Sequence, residues 1–155
     1  MNLSFSTRGW PELSWEEMLE LAIDMGFNGI EVYNLHKNGA MCDRGGPFHA
    51  YQIAATVRQL REKKLNIPCF DTSIDLSTDE DAVAILSGLL KLAKEAQVPY
   101  VVACALTENE KKVMADLQKL VAVAEENEVT LLMKSSGIYA DTARLRRVMD
   151  EFASD

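Results

Sequence analysis

The chain has 155 residues, of which 48% are hydrophobic and 26% are charged, a composition typical of one globular domain. Its 16 Lys and Arg against 24 Asp and Glu give a formal net charge of −8. This charge argues against a nucleic-acid partner and against attachment to an anionic membrane. No apolar run reaches the ~18 residues of a membrane-spanning helix, and the N-terminus lacks the apolar segment of a signal peptide.

The three cysteines are Cys42, Cys69 and Cys104. They are far apart in the chain, odd in number and never arranged as Cys-x-x-Cys, so a zinc knuckle or a redox pair is not expected. An odd number of separated cysteines is typical of a reducing compartment. We therefore predict a cytoplasmic protein with three free thiols, two of them buried.

The first quarter of the chain predicts a strand, a helix and a second strand. Residues 2–6 alternate apolar and polar side chains, as a half-buried strand does. Ser14 with Glu17 three residues later has the spacing of a helix capping box, and Gly26 can end that helix in a left-handed conformation. The run from Gly29 to Tyr33 is the second predicted strand.

The next stretch, residues 34–47, contains three glycines and a proline and predicts a long loop. A helix is expected at residues 49–64 and a third strand at residues 66–71. In the second half, the capping-box spacing recurs at Ser77–Glu80 and at Thr107–Glu110. It predicts helices at residues 79–96 and 107–126, with strands at residues 100–104 and 129–133 and a last helix capped by Asp141.

These elements make five strand–helix units with a spacing of about 31 residues, the size of one βαβ step. Alternating strands and helices indicate one α/β domain over residues 1–155 with a parallel sheet and right-handed crossovers. Two architectures remain open. The units are either about five of the eight of an incomplete TIM-barrel-like fold, or a complete flavodoxin-like, doubly wound five-stranded sheet.

Four stretches resemble the xylose-isomerase-like TIM barrels, the sugar-phosphate isomerase and epimerase group related to endonuclease IV. LSFST at residues 3–7 and LAIDMGFNGIEV at residues 21–32 are similar to the opening of that family. LAKEAQVPYVV at residues 92–102 is similar to its fourth unit, and AVAEENEVTLL at residues 122–132 to its fifth. The resemblance covers nearly the whole chain and implies a sugar or sugar-phosphate isomerase or epimerase.

The same resemblance implies a divalent metal such as Mn or Zn in full-length members. The family has glutamate at the end of its fifth strand as a metal ligand, and Lys134 stands at that position here. Its other metal ligands lie on later strands, so we expect a truncated form that lacks the metal site, holds no cofactor and is inactive alone. Five units of a barrel leave two sheet edges uncovered, which favours a homo-oligomer.

Ligands of parallel α/β sheets bind at the carboxyl ends of the strands. Alternation on the second strand puts Glu31 and Tyr33 on the same face, away from the helices. Glu31 is a candidate catalytic group or a structural carboxylate paired with Lys or Arg. His36, after this strand, is a candidate general base, whereas His49 is better explained as a loop residue.

The remaining candidates for binding a sugar or sugar phosphate, beside Tyr33, are Asp71, Cys104 and Lys134. We expect them to converge with Tyr33 and His36 on one concave site. Lys134 could bind an anionic substrate group or form a salt bridge with Glu31 or Asp71.

Two other functions remain as alternatives. Lys134 and the missing units favour a non-catalytic binding or interaction protein. A response-regulator receiver-like domain would place Asp71 after strand three and Lys134 after strand five, but it lacks the acidic pair that such domains carry after strand one.

Overall fold

The structure is a computed structural model that describes residues 2–152. Within them the strands are β1 (Ser4–Ser6), β2 (Gly29–Tyr33), β3 (Cys69–Asp75), β4 (Tyr100–Cys104) and β5 (Thr130–Met133). The α-helices are α1 (Trp15–Asp24), α2 (Gly39–Cys42), α3 (Ile53–Glu62), α4 (Ala82–Glu95), α5 (Glu110–Glu126) and α6 (Thr142–Phe152). Short 3-10 turns lie at Thr7–Gly9, Leu35–Lys37 and Gly137–Ala140.

The five strands form one parallel sheet in the order β1-β2-β3-β4-β5. A flavodoxin-like sheet, and the receiver domains that share its topology, have the order 2-1-3-4-5. Both of those alternatives are therefore wrong, and the expected barrel-like arrangement of five units is confirmed. Right-handed crossovers in sequential order put all the helices on one side of the sheet. The sheet is not closed, so β1 and β5 are its edges.

The helix-covered face of the sheet is the core. Val32 lies opposite Phe70, and Phe70 opposite Val101, in the register of β2, β3 and β4. All three side chains are fully buried. Because side chains alternate along a strand, the residues between them point to the other face, where no helix of the described chain lies against the strands.

The expected cap of α1 is confirmed. Ser14 accepts a hydrogen bond from the amide of Glu17 at 3.3 Å, and the Glu17 carboxylate accepts one from the amide of Ser14 at 2.7 Å. Gly26 follows the helix with φ of +72°, as expected of a left-handed C-terminal cap. Asp141 also caps α6 as expected, because its carboxylate accepts from the amide of Ala143 at 2.8 Å.

The other two predicted capping boxes are wrong. The helix α4 begins only at Ala82, and α5 begins after Asn109 without a side-chain cap. The hydroxyl of Ser77 instead donates to Asp75 and lies 2.8 Å from the hydroxyl of Thr107. Both hydroxyl groups are used to join the loops after β3 and β4, so neither is free to cap a helix.

The third strand also differs from its predicted range of residues 66–71. Asn66 forms only an isolated bridge with Gly29, and β3 continues to Asp75 because Thr72 and Ile74 carry its buried alternation onward. Asp71 therefore lies inside the strand, and its expected position at the strand end is wrong.

The predicted loop at residues 34–47 is less irregular than expected, since it contains a 3-10 turn and α2. The helix predicted at residues 49–64 is the shorter α3. All three cysteines are free, but only Cys104 is buried, one thiol fewer than expected. Among residues 2–152, no helix has the length and apolarity needed to cross a membrane.

Candidate functional site

The sheet face opposite the helices, here called the open face, carries a row of side chains in register across neighbouring strands. Tyr33 on β2 lies opposite Asp71 on β3, which lies opposite Val102 on β4, which lies opposite Leu132 on β5. These side chains are half-buried or exposed, although the other face of the central strands β2, β3 and β4 is buried. On the open face, a ligand could therefore contact residues of the central strands themselves.

An ion pair crosses the open face from β5 to β3. The ammonium of Lys134, just after β5, lies 2.8 Å from Oδ1 and 2.9 Å from Oδ2 of Asp71. The Asp71 side chain keeps 14% of its exposure and that of Lys134 keeps 34%. Of the two salt-bridge partners considered for Lys134, Asp71 is the one that the structure selects.

A second polar pair lies beside this ion pair. The thiol of Cys69 donates to Oε2 of Glu31 at 3.6 Å. Burial, and after it the charge of Glu31, raises the pKa of Cys69 to about 12. The thiol therefore stays protonated at neutral pH and is a hydrogen-bond donor, not a nucleophile.

The expectation that Glu31, as a structural carboxylate, would pair with Lys or Arg is wrong. None of the ion pairs formed within residues 2–152 includes Glu31. Sequence reasoning missed Cys69 as a site residue. The signal was present, because Cys69 precedes Asp71 by two residues on one strand and so shares its face.

Arg8 was also missed. Its guanidinium carbon lies 5.1 Å from the centre of the Tyr33 ring, within the range of a cation–π contact. The turn that carries Arg8 is fixed at two points: Thr7 Oγ1 accepts from the amide of Tyr33 at 2.9 Å, and Ser6 Oγ accepts from the amide of Arg8 at 3.3 Å. The carboxyl end of β1 thus holds an exposed cation above the open face.

Asn34 links the carboxyl end of β2 to β3. Its backbone is left-handed, with φ of +49°. Its side-chain oxygen accepts from the amide of Ser73 at 2.8 Å and from the hydroxyl of Ser73 at 2.7 Å, and its own amide donates to the carbonyl of Asp71 at 2.8 Å. These three bonds fix the backbone on which Tyr33 and Asp71 are held.

Of the other candidates, Cys104 shares the face of Val102 on β4, whereas His36 and His49 lie in the segment between β2 and α3. Cys104 is buried, and its thiol donates to the carbonyl of Ile74 at 3.4 Å. Burial, followed by the charge of Asp75, raises its pKa. His49 accepts from the amide of Tyr51 in the turn before α3.

His36 lies in the 3-10 turn after β2, where its Nδ1 atom is buried. Burial and the neighbouring charge of Lys37 lower its pKa, against a smaller opposing effect of Asp79. The imidazole is therefore neutral at pH 7 and able to accept a proton. No hydrogen bond within residues 2–152 joins it to the row on the open face.

A separate hydrogen-bonded cluster joins the loops after β3 and β4. The Asp75 carboxylate accepts from the amide of Ser77 at 2.9 Å, from the amide of Leu106 at 3.1 Å and from the hydroxyl of Ser77. Burial raises the pKa of Asp75, but these hydrogen bonds outweigh burial and leave it lowered.

Lys112 completes this cluster from α5. Its ammonium donates to the carbonyls of Leu76 at 2.8 Å and Asp79 at 2.9 Å, and to the carboxylate of Asp116 at 2.8 Å. Every charged group here is used within the protein, so the cluster has a structural role.

The residues present do not fit a divalent metal. Among residues 2–152, no three His, Cys, Asp or Glu side chains are grouped so that they could hold a metal ion. At the end of β5, where the resemblance implies a metal ligand, the ammonium of Lys134 is bound to Asp71. A cation is repelled by an ammonium at contact distance, so we derive no step through a metal.

Two further cavities are found in the described part of the chain, and the second shares Leu132 with the open face. One of about 700 Å³ separates the start of α1 from α3 and the loop after β2, and it has no strand residue in its lining. The other, of about 500 Å³, is an apolar groove along the free edge of β5, bounded by α5 and α6. Met149 on α6 and Leu132 on β5 line this groove and are 54% and 39% exposed.

Neither a protein-family model nor a curated protein sequence matches the chain. Solved structures do match it. The probable 3-DHS dehydratase AsbF of Bacillus anthracis superimposes with a TM-score of 0.79 at 14% identity, over 99% of this chain and 60% of that one. A xylose isomerase domain-containing protein of Salmonella typhimurium LT2 superimposes with a TM-score of 0.74 at 16% identity, over 97% of this chain and 57% of that one. For D-psicose 3-epimerase of Clostridium cellulolyticum H10 the TM-score is 0.66 at 16% identity, over 84% of this chain and 51% of that one.

Nearly all of this chain matches the first two of these structures, but it spans only about 60% of their length. Their agreement extends to strand order, because a closed eight-stranded barrel has its strands in sequential order, as they are here. The chain has the fold of the xylose-isomerase-like TIM barrels, as five consecutive units of an unclosed barrel.

Proposed function

We propose that this chain is a sugar or sugar-phosphate isomerase/epimerase-like protein, a truncated form, and that its open face binds the sugar. The observation that carries the proposal is the row of Tyr33, Asp71 and Lys134, which is partly exposed, whereas the other face of the central strands is buried. An aromatic ring beside paired charged groups suits a polyhydroxylated ligand, since the ring packs on C–H groups and the charged groups bond hydroxyls. The solved D-psicose 3-epimerase, which has this fold, was crystallised with D-tagatose.

Within this proposal, Glu31 and His36 are the candidate groups for proton transfer. A sugar isomerisation or epimerisation moves a proton next to a carbonyl, and a carboxylate or a neutral imidazole can accept it. Both residues flank Tyr33 along the chain, one on each side. Tyr33, Asp71 and Lys134 would bind the substrate, and Cys104, which is buried beside β3, would pack against the site.

We further propose that these five units hold no cofactor and do not turn over substrate by themselves. Full-length barrels of this family are expected to use a divalent metal such as Mn or Zn. The support for the proposal is Lys134, whose ammonium and its bond to Asp71 occupy the position of a metal ligand.

The experiment is a pair of titrations on the full chain. Ketohexoses and their phosphates are followed by shifts of the backbone amides of Tyr33 and Asp71 in NMR spectra. Manganese and zinc are followed by calorimetry. We expect sugar binding that is lost in Tyr33→Ala and unchanged in Tyr51→Ala, a substitution of an exposed tyrosine in the turn before α3. Stoichiometric micromolar metal binding, or the absence of any sugar-induced shift, would overturn the proposal.

A non-catalytic binding protein is the second candidate, and the Lys134–Asp71 ion pair favours it as well. The two functions differ in one assay. Incubation of a bound sugar in deuterated water labels the carbon next to the carbonyl if Glu31 or His36 exchanges its proton. Binding without label assigns the non-catalytic function.

The proposed assembly is a homo-oligomer in the cytoplasm that binds neither nucleic acid nor membrane. Its support is the unpaired edge of β5, where Leu132 remains 39% exposed, together with three free thiols and a net charge of −8. Light scattering at micromolar concentration should give a mass above 17.3 kDa. A monomer would contradict the oligomer and leave the sugar-binding proposal intact.

A further inference from the structure

The guanidinium of Arg8 is a charged group beside the open face that the proposed function does not use. Arg8 is exposed, and it forms neither an ion pair nor a side-chain hydrogen bond within the part of the chain that the structure describes. Its only close partner there is the ring of Tyr33, at 5.1 Å from guanidinium carbon to ring centre. Stacking on a ring leaves the N–H groups at the edge of the guanidinium available to another acceptor.

Hydrogen bonds to two strands fix the position of the turn that carries Arg8. The turn Thr7–Gly9 is held to β2 by the bond from the Tyr33 amide to Thr7 and to β1 by the bond from the Arg8 amide to Ser6. Tyr33 is in turn the register partner of Asp71. The cation therefore stands at one end of the row Arg8, Tyr33, Asp71, Lys134, which crosses the carboxyl half of the sheet.

The charges along this row do not cancel. Asp71 neutralises Lys134 by direct contact of both its oxygens, so Arg8 is the one charge of this row without an ionic partner. Glu31, on the same face but outside the row, accepts a hydrogen bond from the Cys69 thiol. The chain as a whole, with a net charge of −8, repels anions. A cation without an ionic partner at the open face attracts an acidic ligand to that place. The planar fork of a guanidinium matches the paired oxygens of phosphate and carboxylate.

We propose that Arg8, held on the Tyr33 ring, binds the oxyanion of an acidic substrate on the open face. This inference rests on the proposed function, because it defines the substrate as a phosphorylated or carboxylated sugar rather than a neutral one. Lys134, fixed by Asp71, bounds the other end of the site and bonds the hydroxyl groups of the same ligand.

The test uses the full chain and four probes: inorganic phosphate, acetate, a hexose phosphate and the matching neutral hexose. Binding is followed by NMR shifts of the Arg8 Nε–H and of the Tyr33 amide. We expect the hexose phosphate to bind at least about tenfold more tightly than the hexose, since each charge-assisted contact is roughly twice as strong as a neutral one. Arg8→Gln should abolish that preference, and Arg8→Lys should retain part of it, because the charge remains and the fork does not.

The matched control is Arg58→Gln, which removes the same charge from an exposed position on α3, on the helix side of the sheet. An equal loss of phosphate affinity in Arg58→Gln and Arg8→Gln would overturn the inference, since net charge alone would then explain it.

The comparison of phosphate with acetate identifies the anion that the site prefers. If both shift the Arg8 signal equally, Arg8 binds oxyanions in general; if phosphate shifts it more, the site prefers phosphate. Phosphate binding at Arg8 without any proton exchange into a sugar would refute the catalytic function and leave this site standing. Sugar binding with the phosphate preference unchanged in Arg8→Gln would refute this site alone.

Discussion

Asp71 and Asp75 lie four residues apart on β3 and differ in almost everything but their side chain. Asp75 is 8% exposed and accepts hydrogen bonds from Ser77 and Leu106 with no cation in contact. Asp71 has a single partner, the ammonium of Lys134, on a face open to solvent. A carboxylate surrounded by backbone amides holds the protein together, whereas one paired with a flexible side chain on an open face is available to a ligand.

The sharpest test of this difference is Asp75→Ala. The substitution leaves the amides of Ser77 and Leu106 without acceptors, and hydrogen bonds to a charged group contribute about 1.5–3 kcal/mol each. We expect the free energy of unfolding in urea to fall by about 3 kcal/mol. Asp150→Ala, which removes an exposed carboxylate, is the control and should change it by less than about 0.5 kcal/mol. Equal effects of the two substitutions would show that the cluster is not structural.

The pH dependence of stability separates the same two groups. The folded pKa of Asp75 lies below its ordinary value, so its contribution to stability is complete above the unfolded value of about 4. It is lost as the pH falls through the folded pKa. Unfolding in urea at pH 7 and pH 3 should therefore show a larger acid loss in the native chain than in Asp75→Asn. The same loss in both proteins would assign the acid sensitivity to other carboxyl groups.

Ser77→Ala should have an intermediate effect. It removes the hydroxyl that donates to Asp75 and lies against Thr107, and it keeps the backbone bonds of the cluster. Loss of neutral and charge-assisted side-chain bonds predicts a decrease of about 1–2 kcal/mol in the free energy of unfolding. Ser135→Ala, at an exposed position after β5, supplies the control. A decrease as small as that control would mean that the backbone amides alone hold the loops.

Lys134→Met should change stability by about 1 kcal/mol or less, because the ion pair is partly solvated and its neighbour Asp71 can hydrate in its absence. The effect should shrink further in 1 M salt, where exposed charges are screened. In Lys134→Met, the affinity for a ligand at the open face should change by more than the free energy of unfolding does. A loss of 3 kcal/mol or more would place this pair in the same structural class as the Asp75 cluster.

The smallest effect on stability is expected from Glu31→Gln, and its readout is the reactivity of Cys69. Removing the carboxylate lowers the pKa of Cys69, which burial and the Glu31 charge raise, so a larger fraction of thiolate is available. Alkylation at pH 8, followed by mass spectrometry, should be faster at Cys69 in the variant and unchanged at buried Cys104. Equal rates at Cys69 in both proteins would show that burial alone controls this thiol.

The sequence predicted the fold better than the site, and the three S/T-x-x-E patterns show why. Ser14 and Glu17 form a capping box because no other polar group competes for them. The identical spacing at Ser77 and Thr107 fails because the two hydroxyls meet across 30 residues of sequence. Five parallel units follow from local periodicity, which the sequence contains, whereas a contact between distant loops does not.

The site residues divide in the same way. Tyr33 and Asp71 come together because strand register is set by alternation, and the pairing of Lys134 with Asp71 was one of two partners foreseen. Arg8 was not foreseen, since its place above Tyr33 depends on a single 3-10 turn after β1. Asp71 was expected at a strand end, yet the strand continues past it, where Thr72 is buried and donates to the carbonyl of Val102.

The sequential order of the strands has a consequence for how the chain folds. Among the described strands, each pairs with the strand immediately before or after it in the chain. The chain segment between two paired strands is therefore one βα unit, and strand pairing requires no contact between segments distant in sequence. Short loop closures have low entropic cost and fold quickly. Folding can therefore begin at β3 and β4, whose loops the Asp75 cluster joins, and spread outward one unit at a time. Amide hydrogen exchange should accordingly be slowest in β3 and β4 and fastest at the β1 and β5 edges.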